Sequence, residues 1–248
     1  MTPQADPRAD RGRRGLAYTL ITPENHYVSR LPSLPGAHLV KLVTPRLAPA
    51  RLAQYLIRTT DTNAVCELGE EFEHFLYGLG GAPGVDDGDT RFDLFGEGFC
   101  YIPPGARFTL RTPADSALLW IKRRYELWPG LNPPAARGGQ AREVAATPTV
   151  TPGLTRRELL PPEDAAHDFN MSLMAFEPQI GLPQIEIHDE EHGLYMTSGG
   201  GVYRLGQDEH KVQAGDFIYM GPYCPQGFRA GEDGAEYLLY KDVYRDGF

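Results

Sequence analysis

The sequence lacks a long apolar run and contains little cysteine. No stretch of about 18 consecutive apolar residues occurs, so we expect no membrane-spanning helix. The segment MTPQADPRADRGRRG has no apolar core, which argues against a secretory signal. The three cysteines, Cys66, Cys100 and Cys224, lie far apart and follow no metal-binding or redox spacing. We therefore expect a reduced, cytoplasmic protein.

Positive charge is also scarce. The chain has 24 Lys and Arg residues against 33 Asp and Glu residues, which gives a formal net charge of −9. A surface of this sign repels phosphate groups, so we expect no nucleic acid as a principal partner. The basic runs at 8–14 and 122–124 are short and are interpreted as a solvated tail and a strand end.

Glycine and proline, by contrast, are abundant, with 28 and 22 residues among 248. This composition favours many short strands joined by turns over a helical bundle, so we predict an all-β protein. A chain of this length allows two domains of about 100–125 residues. The predicted segments are a disordered tail (1–14), an N-terminal domain (15–130), a Pro- and Gly-rich linker (131–149) and a C-terminal domain (150–248).

The stretch 181–199, GLPQIEIHDEEHGLYMTSG, contains a group of candidate metal ligands. Alternate residues of a strand face the same side, so Glu186 and His188 share a face if QIEIH is a strand. Ile185 and Ile187 then point to the opposite, packing side. The following DEE is interpreted as a bend that returns the chain to the same layer.

His192 follows that bend, and Gln226 lies in a second stretch, 215–228, GDFIYMGPYCPQGF. A carboxylate and two imidazoles that converge on one point suit a divalent first-row metal. The amide oxygen of Gln226 shifts the preference towards a hard ion with open positions for water and substrate. A single histidine here would be explained as a surface residue, whereas the Glu-x-His-x3-His cluster favours a metal site.

The two halves of the chain repeat one order of segments. EFEHFLYGLGG aligns with EEHGLYMTSGGG, which places His74 opposite His192 and Tyr77 opposite Tyr195. In this register the first half keeps a Glu and a His but has Leu and Phe at the other two ligand positions. The pairs are Leu68 with Glu186, Glu70 with His188, His74 with His192 and Phe108 with Gln226. We therefore predict that the N-terminal domain is a degenerate copy without metal.

These residues resemble the two motifs of the cupin family, G-x5-H-x-H-x3/4-E-x6-G and G-x5-P-x-G-x2-H-x3-N. Glu186, His188 and His192 stand at the three ligand positions of the first motif. The second motif begins at Gly215 and places Gln226 at its His position. The resemblance implies a bicupin, in which two tandem antiparallel β-barrels of jelly-roll type share one polypeptide.

The ligand order Glu-x-His-x3-His-Gly with a distant Gln is similar to that of the (S)-ureidoglycine aminohydrolase family, manganese-dependent bicupins of allantoin and purine degradation. The similarity runs through nearly the whole chain, from TPENHYVSRLPS to YKDVYRD. It implies that a geminal diamine carbon is hydrolysed to give ureidoglycolate and ammonia. It also implies four ligands for Mn²⁺, or for another divalent first-row ion, namely Glu186, His188, His192 and Gln226.

The same resemblance implies further site residues for a small-molecule substrate. Tyr203, Tyr237 and Lys241 match family positions that line the substrate pocket. Lys241 is the candidate partner of the substrate carboxylate, and the tyrosines are candidates to bind the ureido group. Glu186 is a candidate to carry protons as well as to bind metal, so Glu186 and Lys241 are the predicted catalytic residues.

Two other functions are compatible with the same residues. An iron-dependent cupin dioxygenase would consume oxygen, although the distant Gln and the lack of a third His count against it. A non-catalytic small-ligand-binding cupin would bind without turnover. Because bicupins commonly associate through their sheets, we also expect a homo-oligomer.

Overall fold

The computed structural model describes residues 10–31, 34–59, 71–243 and 245, and the backbone of residues 64–69. Within these ranges the chain forms twenty β-strands and no α-helix. The strands associate into three sheets, which confirms the predicted all-β class. No described segment forms a helix with the length and apolar character that a membrane crossing requires.

Sheet A has nine strands. They are β1 (Arg13–Arg14), β2 (Tyr18–Ile21), β14 (Thr147–Pro148), β15 (Leu154–Leu160), β16 (Phe169–Phe176), β17 (His192–Leu205), β18 (Asp208–Gln213), β19 (Phe217–Met220) and β20 (Gln226–Asp242). Their order is β1-β2-β19-β17-β20-β16-β15-β14, and β18 pairs with β17.

Sheet B has seven strands in the order β13-β10-β7-β12-β5-β4-β3. They are β3 (Val28–Leu31), β4 (Leu34–Val43), β5 (Leu52–Thr59), β7 (Phe72–Gly80), β10 (Gly98–Ile102), β12 (Ala117–Arg124) and β13 (Arg137–Gln140). Sheet C has four strands in the order β6-β11-β8-β9. They are β6 (Ala64–Gly69), β8 (Gly84–Asp86), β9 (Arg91–Asp93) and β11 (Arg107–Thr112). The described 3-10 turns are Pro23–Asn25 and Ala141–Glu143.

The alternation of side chains explains which face such a strand buries. In β11, Phe108 and Leu110 are 2% and 0% exposed. Arg107, Thr109 and Arg111 lie on the other, more exposed face. This two-residue period is the pattern expected for a strand that packs one side against a core.

The described residues divide into two compact units. The C-terminal unit comprises residues up to His26, Thr147–Arg156 and Leu173–Lys241. The N-terminal unit comprises Tyr27–Ala146, Arg157–Ser172 and the residues from Asp242 onwards. Both units therefore draw on more than one stretch of the chain, which differs from the uninterrupted domains drawn from the sequence.

Each unit has its own apolar core. Ile57, Leu76 and Leu118 belong to the core of the N-terminal unit and are fully buried. Leu194 and Ile218 are fully buried core residues of the C-terminal unit. Burial of one such side chain contributes about 1.5–3 kcal/mol. Two separate cores agree with the predicted pair of tandem domains.

The first strands of the chain pair within the C-terminal unit, not with the N-terminal domain to which the sequence assigned them. β2 pairs antiparallel with β19, and β1 pairs with β2. Arg11 forms a two-point ion pair with Asp216, with distances of 2.6 Å (Nη1–Oδ2) and 2.9 Å (Nη2–Oδ1). Residues 10–14, assigned to a disordered tail, are thus held by β-pairing and by this ion pair. Residues 1–9 lie outside the described part of the chain.

β2 joins this sheet because β19 has β17 on one side and would otherwise be an unpaired edge on the other. The apolar alternation of a strand predicts its buried face, but it does not say which edge the strand will join.

The predicted linker 131–149 also contains regular structure. β13 pairs with β10 in sheet B, and Ala141 in the following turn is fully buried. A Cβ at Gly138 would lie 2.5 Å from the backbone oxygen of Phe99. Glycine at this position therefore permits a close strand pairing, although in the sequence it suggests a flexible link.

The strand registers agree with the internal repeat. In sheet B, His74 lies opposite Lys122 of β12. In sheet A, His192 lies opposite Lys241 of β20. Each histidine also faces an apolar residue at the end of the strand on its other side. The two units thus present the same pair, a histidine and a lysine, at corresponding positions.

Candidate metal centre

A short backbone pairing and two strand ends bring the candidate ligands together. His192 begins β17, and Gln226 begins β20. The amide N–H of Glu186 donates to the carbonyl of Gln226 (2.9 Å), and the amide of Gln226 donates back to the carbonyl of Glu186 (3.0 Å). This isolated bridge holds the segment with Glu186 and His188 against the start of β20.

The segment around Glu186 is not a strand, so that prediction is wrong. Apart from the single bridge, residues 185–188 have no ladder partner. Ile185 and Ile187 are 44% and 61% exposed and do not pack into a core. The alternation of facing directions is present nonetheless. The polar side chains turn towards the site and the apolar ones turn outwards.

The four predicted ligands meet around one atom. His192 Nε2 lies 3.2 Å from His188 Nε2. The side-chain nitrogen of Gln226 lies 3.0 Å from the same His188 atom. Glu186 Oε2 lies 3.9 Å from it. A carboxylate, two imidazoles and an amide thus face a common centre.

These spacings suit a divalent cation. Ligand atoms about 2.1–2.2 Å from an ion and at right angles to each other are about 3.0–3.1 Å apart. A half-turn of the Gln226 amide exchanges its nitrogen for its oxygen and offers the donor that a hard ion prefers. The Glu186 side chain is 36% exposed and has room to rotate inwards. Among the described residues, no three His, Cys, Asp or Glu side chains are grouped so that they could hold a metal by themselves. In this set Glu186 lies farther out, at 3.9 Å from His188 Nε2, and the close part consists of the two imidazoles and the amide of Gln226.

The protonation state of His192 favours metal binding. This side chain is only 4% exposed. Burial lowers its pKa well below the usual value, with smaller contributions from the charges of His188 and Lys241. A neutral imidazole keeps a lone pair on one ring nitrogen, which is the form that binds a metal.

Glu190 lies beside the ligands and was not singled out from the sequence. Its Oε2 lies 2.8 Å from His188 Nδ1, and its Oε1 lies 3.1 Å from Lys241 Nζ. Burial raises the pKa of Glu190, but a hydrogen bond to its own backbone and the charge of Lys241 outweigh this, so the pKa is lowered. The sequence offered no clear signal, because Glu190 is one of three successive acidic residues in a bend.

A second acidic residue of the same bend supports the start of β17. Glu191 is 2% exposed and accepts a hydrogen bond from the Tyr219 hydroxyl at 3.0 Å. Neighbouring acidic residues therefore have different partners, since Glu190 faces the ligands and Glu191 faces β19. This division depends on the turn of the backbone and was not evident from the sequence.

Tyr203 and Tyr237 lie within the C-terminal unit and are almost fully buried. Both rings pack against Phe228, with centroid distances of 5.5 and 5.7 Å. Burial raises the pKa of each hydroxyl, and the nearby charge of Glu186 adds to the effect. Both hydroxyls therefore stay protonated at neutral pH.

Cys224 is buried, and its thiol contacts the carbonyl oxygen of Pro225 at 3.7 Å. Burial raises the pKa of this thiol. A thiol that resists deprotonation is a poor nucleophile, so the chemistry of the site rests on the other residues.

The corresponding position in the N-terminal unit has a different environment. His74 is 1% exposed and accepts a hydrogen bond from Trp120 Nε1 at its Nδ1 (3.1 Å). The Phe108 ring meets it edge-on, with a centroid distance of 4.9 Å. Burial lowers the pKa of His74 to about 3. The side chains of Leu68 and Glu70, the other predicted counterparts, lie outside the described part of the structure.

Comparison with known proteins agrees with this geometry. No family model matches the chain. The chain is 32% identical over 233 residues to the (S)-ureidoglycine aminohydrolase of Arabidopsis thaliana. The alignment covers 92% of this chain and 76% of that protein. It is 31% identical over 236 residues to the (S)-ureidoglycine aminohydrolase of Escherichia coli (strain K12), which covers 92% and 89% of the two chains.

Solved structures agree on the fold. Protein Ylba from E. coli matches with a TM-score of 0.84 and 30% identity over 97% of both chains. A putative glyoxylate induced protein from Pseudomonas aeruginosa matches with a TM-score of 0.86 and 28% identity, covering 96% of this chain and 93% of that one. An oxalate decarboxylase from Bacillus subtilis, at 12% identity and a TM-score of 0.69, shows similarity of fold alone.

Two β-units in one chain, the second of which brings two histidines, a glutamine and a glutamate together, define the class of protein as a bicupin. The sequence similarity extends over 92% of the chain. The chain belongs to the (S)-ureidoglycine aminohydrolase family.

Proposed function

We propose that the C-terminal unit hydrolyses (S)-ureidoglycine to (S)-ureidoglycolate and ammonia, as a step of allantoin breakdown. The observation that supports this most directly is the convergence of Glu186, Gln226 and His192 on His188 Nε2, within 3.9 Å. The named activity of the relatives supplies the substrate. The proposed metal is Mn²⁺, because the set combines two imidazoles with two oxygen donors.

A divalent ion at this centre would polarise the substrate and lower the pKa of a coordinated water. Glu186, His188, His192 and Gln226 would hold the ion, and with four protein ligands it would still bind that water and the substrate. His192 and Gln226 are 4% and 3% exposed, so they form the rigid inner part of the site. Glu186 and His188 stand on the more exposed side, where substrate enters.

The remaining polar residues have defined tasks in this proposal. Lys241, whose side chain is 37% exposed, pairs with the substrate carboxylate. Tyr203 and Tyr237 donate hydrogen bonds to the carbonyl oxygen of the ureido group, because their raised pKa values keep both hydroxyls protonated. These contacts fix the substrate carbon relative to the attacking water.

The reaction adds the oxygen of water to the carbon that carries two nitrogen substituents, and the bond from that carbon to the amino nitrogen breaks. The nitrogen leaves as ammonia after it gains a proton, and the water loses one. We assign this proton transfer to the carboxylate of Glu186, which borders the ligand cluster and remains accessible from outside.

The test is an ammonia-release assay on metal-stripped protein before and after addition of Mn²⁺. We expect release above the spontaneous decay of ureidoglycine only in the reloaded protein. The matched control is His38→Ala, which removes a partly exposed histidine of the N-terminal unit and should leave the rate unchanged. No release above the spontaneous rate at full metal occupancy would refute the proposal. Oxygen uptake, or substrate binding without turnover, would favour the dioxygenase or the binding protein.

We also propose that the protein works in the cytoplasm as a homo-oligomer. The free thiols of Cys100 and Cys224 and the apolar outer residues Ile185 and Ile187 support this proposal. Light scattering of the purified protein tests the second part, and a mass equal to one chain would contradict it.

A further inference from the structure

We propose that Glu190 is a positioning residue of this site, which orients His188 for metal binding and holds Lys241 for the substrate. The proposal deepens the proposed function and rests on it. One oxygen of Glu190 lies 2.8 Å from His188 Nδ1, and the other lies 3.1 Å from Lys241 Nζ. One carboxylate thus bridges a ligand and the candidate partner of the substrate carboxylate.

The contact with His188 determines which ring nitrogen faces the metal. A carboxylate beside Nδ1 favours the tautomer with its proton on Nδ1, which leaves the lone pair on Nε2. That Nε2 atom is the one that His192 and Gln226 approach, at 3.2 and 3.0 Å. The contact has the length of a hydrogen bond but does not meet its angle, so the proposal rests on the distance and charge of the carboxylate beside Nδ1.

The contact with Lys241 limits the motion of a flexible side chain. Lys241 lies opposite His192 in the ladder between β17 and β20, so its stem is placed by the sheet. Its side chain is 37% exposed and has four rotatable bonds. The ion pair with Glu190, which is 25% exposed, keeps this group beside the ligands.

The N-terminal unit provides an independent comparison. The residue two positions before its histidine, the counterpart of Glu190, is Phe72. There, Lys122 Nζ lies over the Phe72 ring, 4.2 Å from its centroid. The corresponding lysine therefore has a partner in both units, an aromatic face in one and a carboxylate in the other. At this position, two residues before the histidine, the C-terminal unit has the carboxylate of Glu190 and the N-terminal unit has the ring of Phe72.

This comparison suggests substitutions that separate the two contacts. Glu190→Phe removes the acceptor for His188 but supplies the ring that holds Lys122 in the other unit. Glu190→Gln keeps an oxygen acceptor for the Nδ1–H of His188 but loses the negative charge next to Lys241. Glu190→Ala removes both contacts. Glu209→Ala, which removes an exposed carboxylate from β18 of the same unit, is the matched control.

The primary measurement is the affinity for Mn²⁺, from the electron paramagnetic resonance signal of the free ion during titration. We expect Glu190→Phe and Glu190→Ala to weaken binding about 10–100-fold, the usual cost of removing a partner of a ligating histidine. Glu190→Gln and the control should stay within about threefold of the unmodified protein. Circular dichroism establishes that each variant is folded.

The KM for ureidoglycine provides a second readout, at saturating Mn²⁺. We expect it to rise in Glu190→Ala but not in Glu190→Phe, since the ring still supports Lys241. Unchanged Mn²⁺ affinity in both Phe and Ala variants would overturn the proposal, as would a Gln variant as weak as the Ala variant. If the unmodified protein binds no Mn²⁺ or releases no ammonia, the proposed function fails instead.

Discussion

At the residue before the shared histidine, both units have a glutamate that accepts a hydrogen bond from a tyrosine of the neighbouring strand. Tyr101 donates to Glu73 at 2.9 Å in one unit, and Tyr219 donates to Glu191 at 3.0 Å in the other. One residue earlier the two units differ, since the N-terminal unit has Phe72 and the C-terminal unit has Glu190. The buried pair that supports the strand is common to both, whereas the residues facing the ligands differ. The strand is therefore supported at the positions of Glu73 and Glu191, whereas the neighbouring positions, Phe72 and Glu190, differ between the units.

The largest expected difference between the units is in the ammonia-release rate after each of the two histidines is replaced. His192→Ala removes a ligand and should lower the ammonia-release rate at least about a hundredfold, because even outer partners of a ligand contribute about 10–100-fold. His74→Asn should retain the full rate, since Asn keeps an acceptor for Trp120 and His74 lies among Trp120 and Phe108 in the other unit. Metal content and the assay check both variants. An inactive His74→Asn protein that is folded would contradict the division between the units.

The next effect concerns stability. Arg123 is 1% exposed and contacts Asp242 at 2.6 Å, with Glu73 and Asp168 at 3.7 and 3.6 Å. Arg123→Ala would leave the buried carboxyl groups of Glu73 and Asp168 without this cation, while Asp242 keeps Arg51 at 3.2 Å, and should lower the free energy of unfolding by about 3–5 kcal/mol. Chemical denaturation measures this change.

The control for Arg123 is its neighbour. Arg124 pairs with Glu71 on the surface, where the side chains are 61% and 62% exposed. Arg124→Ala should therefore cost less than about 1 kcal/mol. An equal loss of unfolding free energy in the two variants would show that the buried cluster stabilises the protein no more than a surface ion pair.

The third prediction concerns the acid sensitivity of the N-terminal unit. The pKa of His74 is about 3 in the folded protein and 6.5 in the reference state. Below pH 6.5 the imidazole of His74 binds a proton in the unfolded chain but stays neutral in the folded protein. The free energy of unfolding therefore falls as the pH falls towards 3. Between pH 7 and pH 5 this one residue accounts for about 2 kcal/mol.

His74→Asn should remove that part of the pH dependence, although the variant will be less stable at pH 7. The measurement is the difference in unfolding free energy between pH 7 and pH 5, in metal-free protein. A difference as large as that of the unmodified protein would show that His74 is charged when folded or that another group dominates.

The smallest effect is expected from the paired lysines. Lys241→Ala should raise the KM for ureidoglycine about tenfold, the lower end for a charged hydrogen bond, since Lys241 is partly exposed and shared with Glu190. Lys122→Ala removes the corresponding lysine from the N-terminal unit and should not alter KM. A similar KM for both variants would argue against Lys241 as the carboxylate partner.

Part of the site was predictable because it depends on local periodicity. The alternation of Glu186 and His188, and the spacing to His192, survive even though the expected strand does not form. The repeat also placed His74 against His192 correctly, as the ladders with Lys122 and Lys241 show. These features depend on the direction of side chains along an extended backbone, which neighbouring residues largely determine.

Other features were not predictable for a physical reason. The pairing of β2 with β19 depends on which sheet edge is open. The role of Glu190 depends on how a bend of three acidic residues turns. The exposure of Ile185 and Ile187 depends on which parts of the described chain pack over this segment. All three features are decided by how the folded chain packs, which leaves no signal in the local sequence pattern.

The amino-acid order alone determined the strand-rich class, the twofold repetition and the choice of candidate ligands, because period-two hydrophobicity and side-chain chemistry are properties of short segments. Only the tertiary structure decided that a backbone bridge between Glu186 and Gln226 brings the candidate ligands together. It also decided that Glu190, one of the three acidic residues of the bend, lies beside His188. Those choices follow from the packing of strands that are remote in sequence around the apolar core of the C-terminal unit.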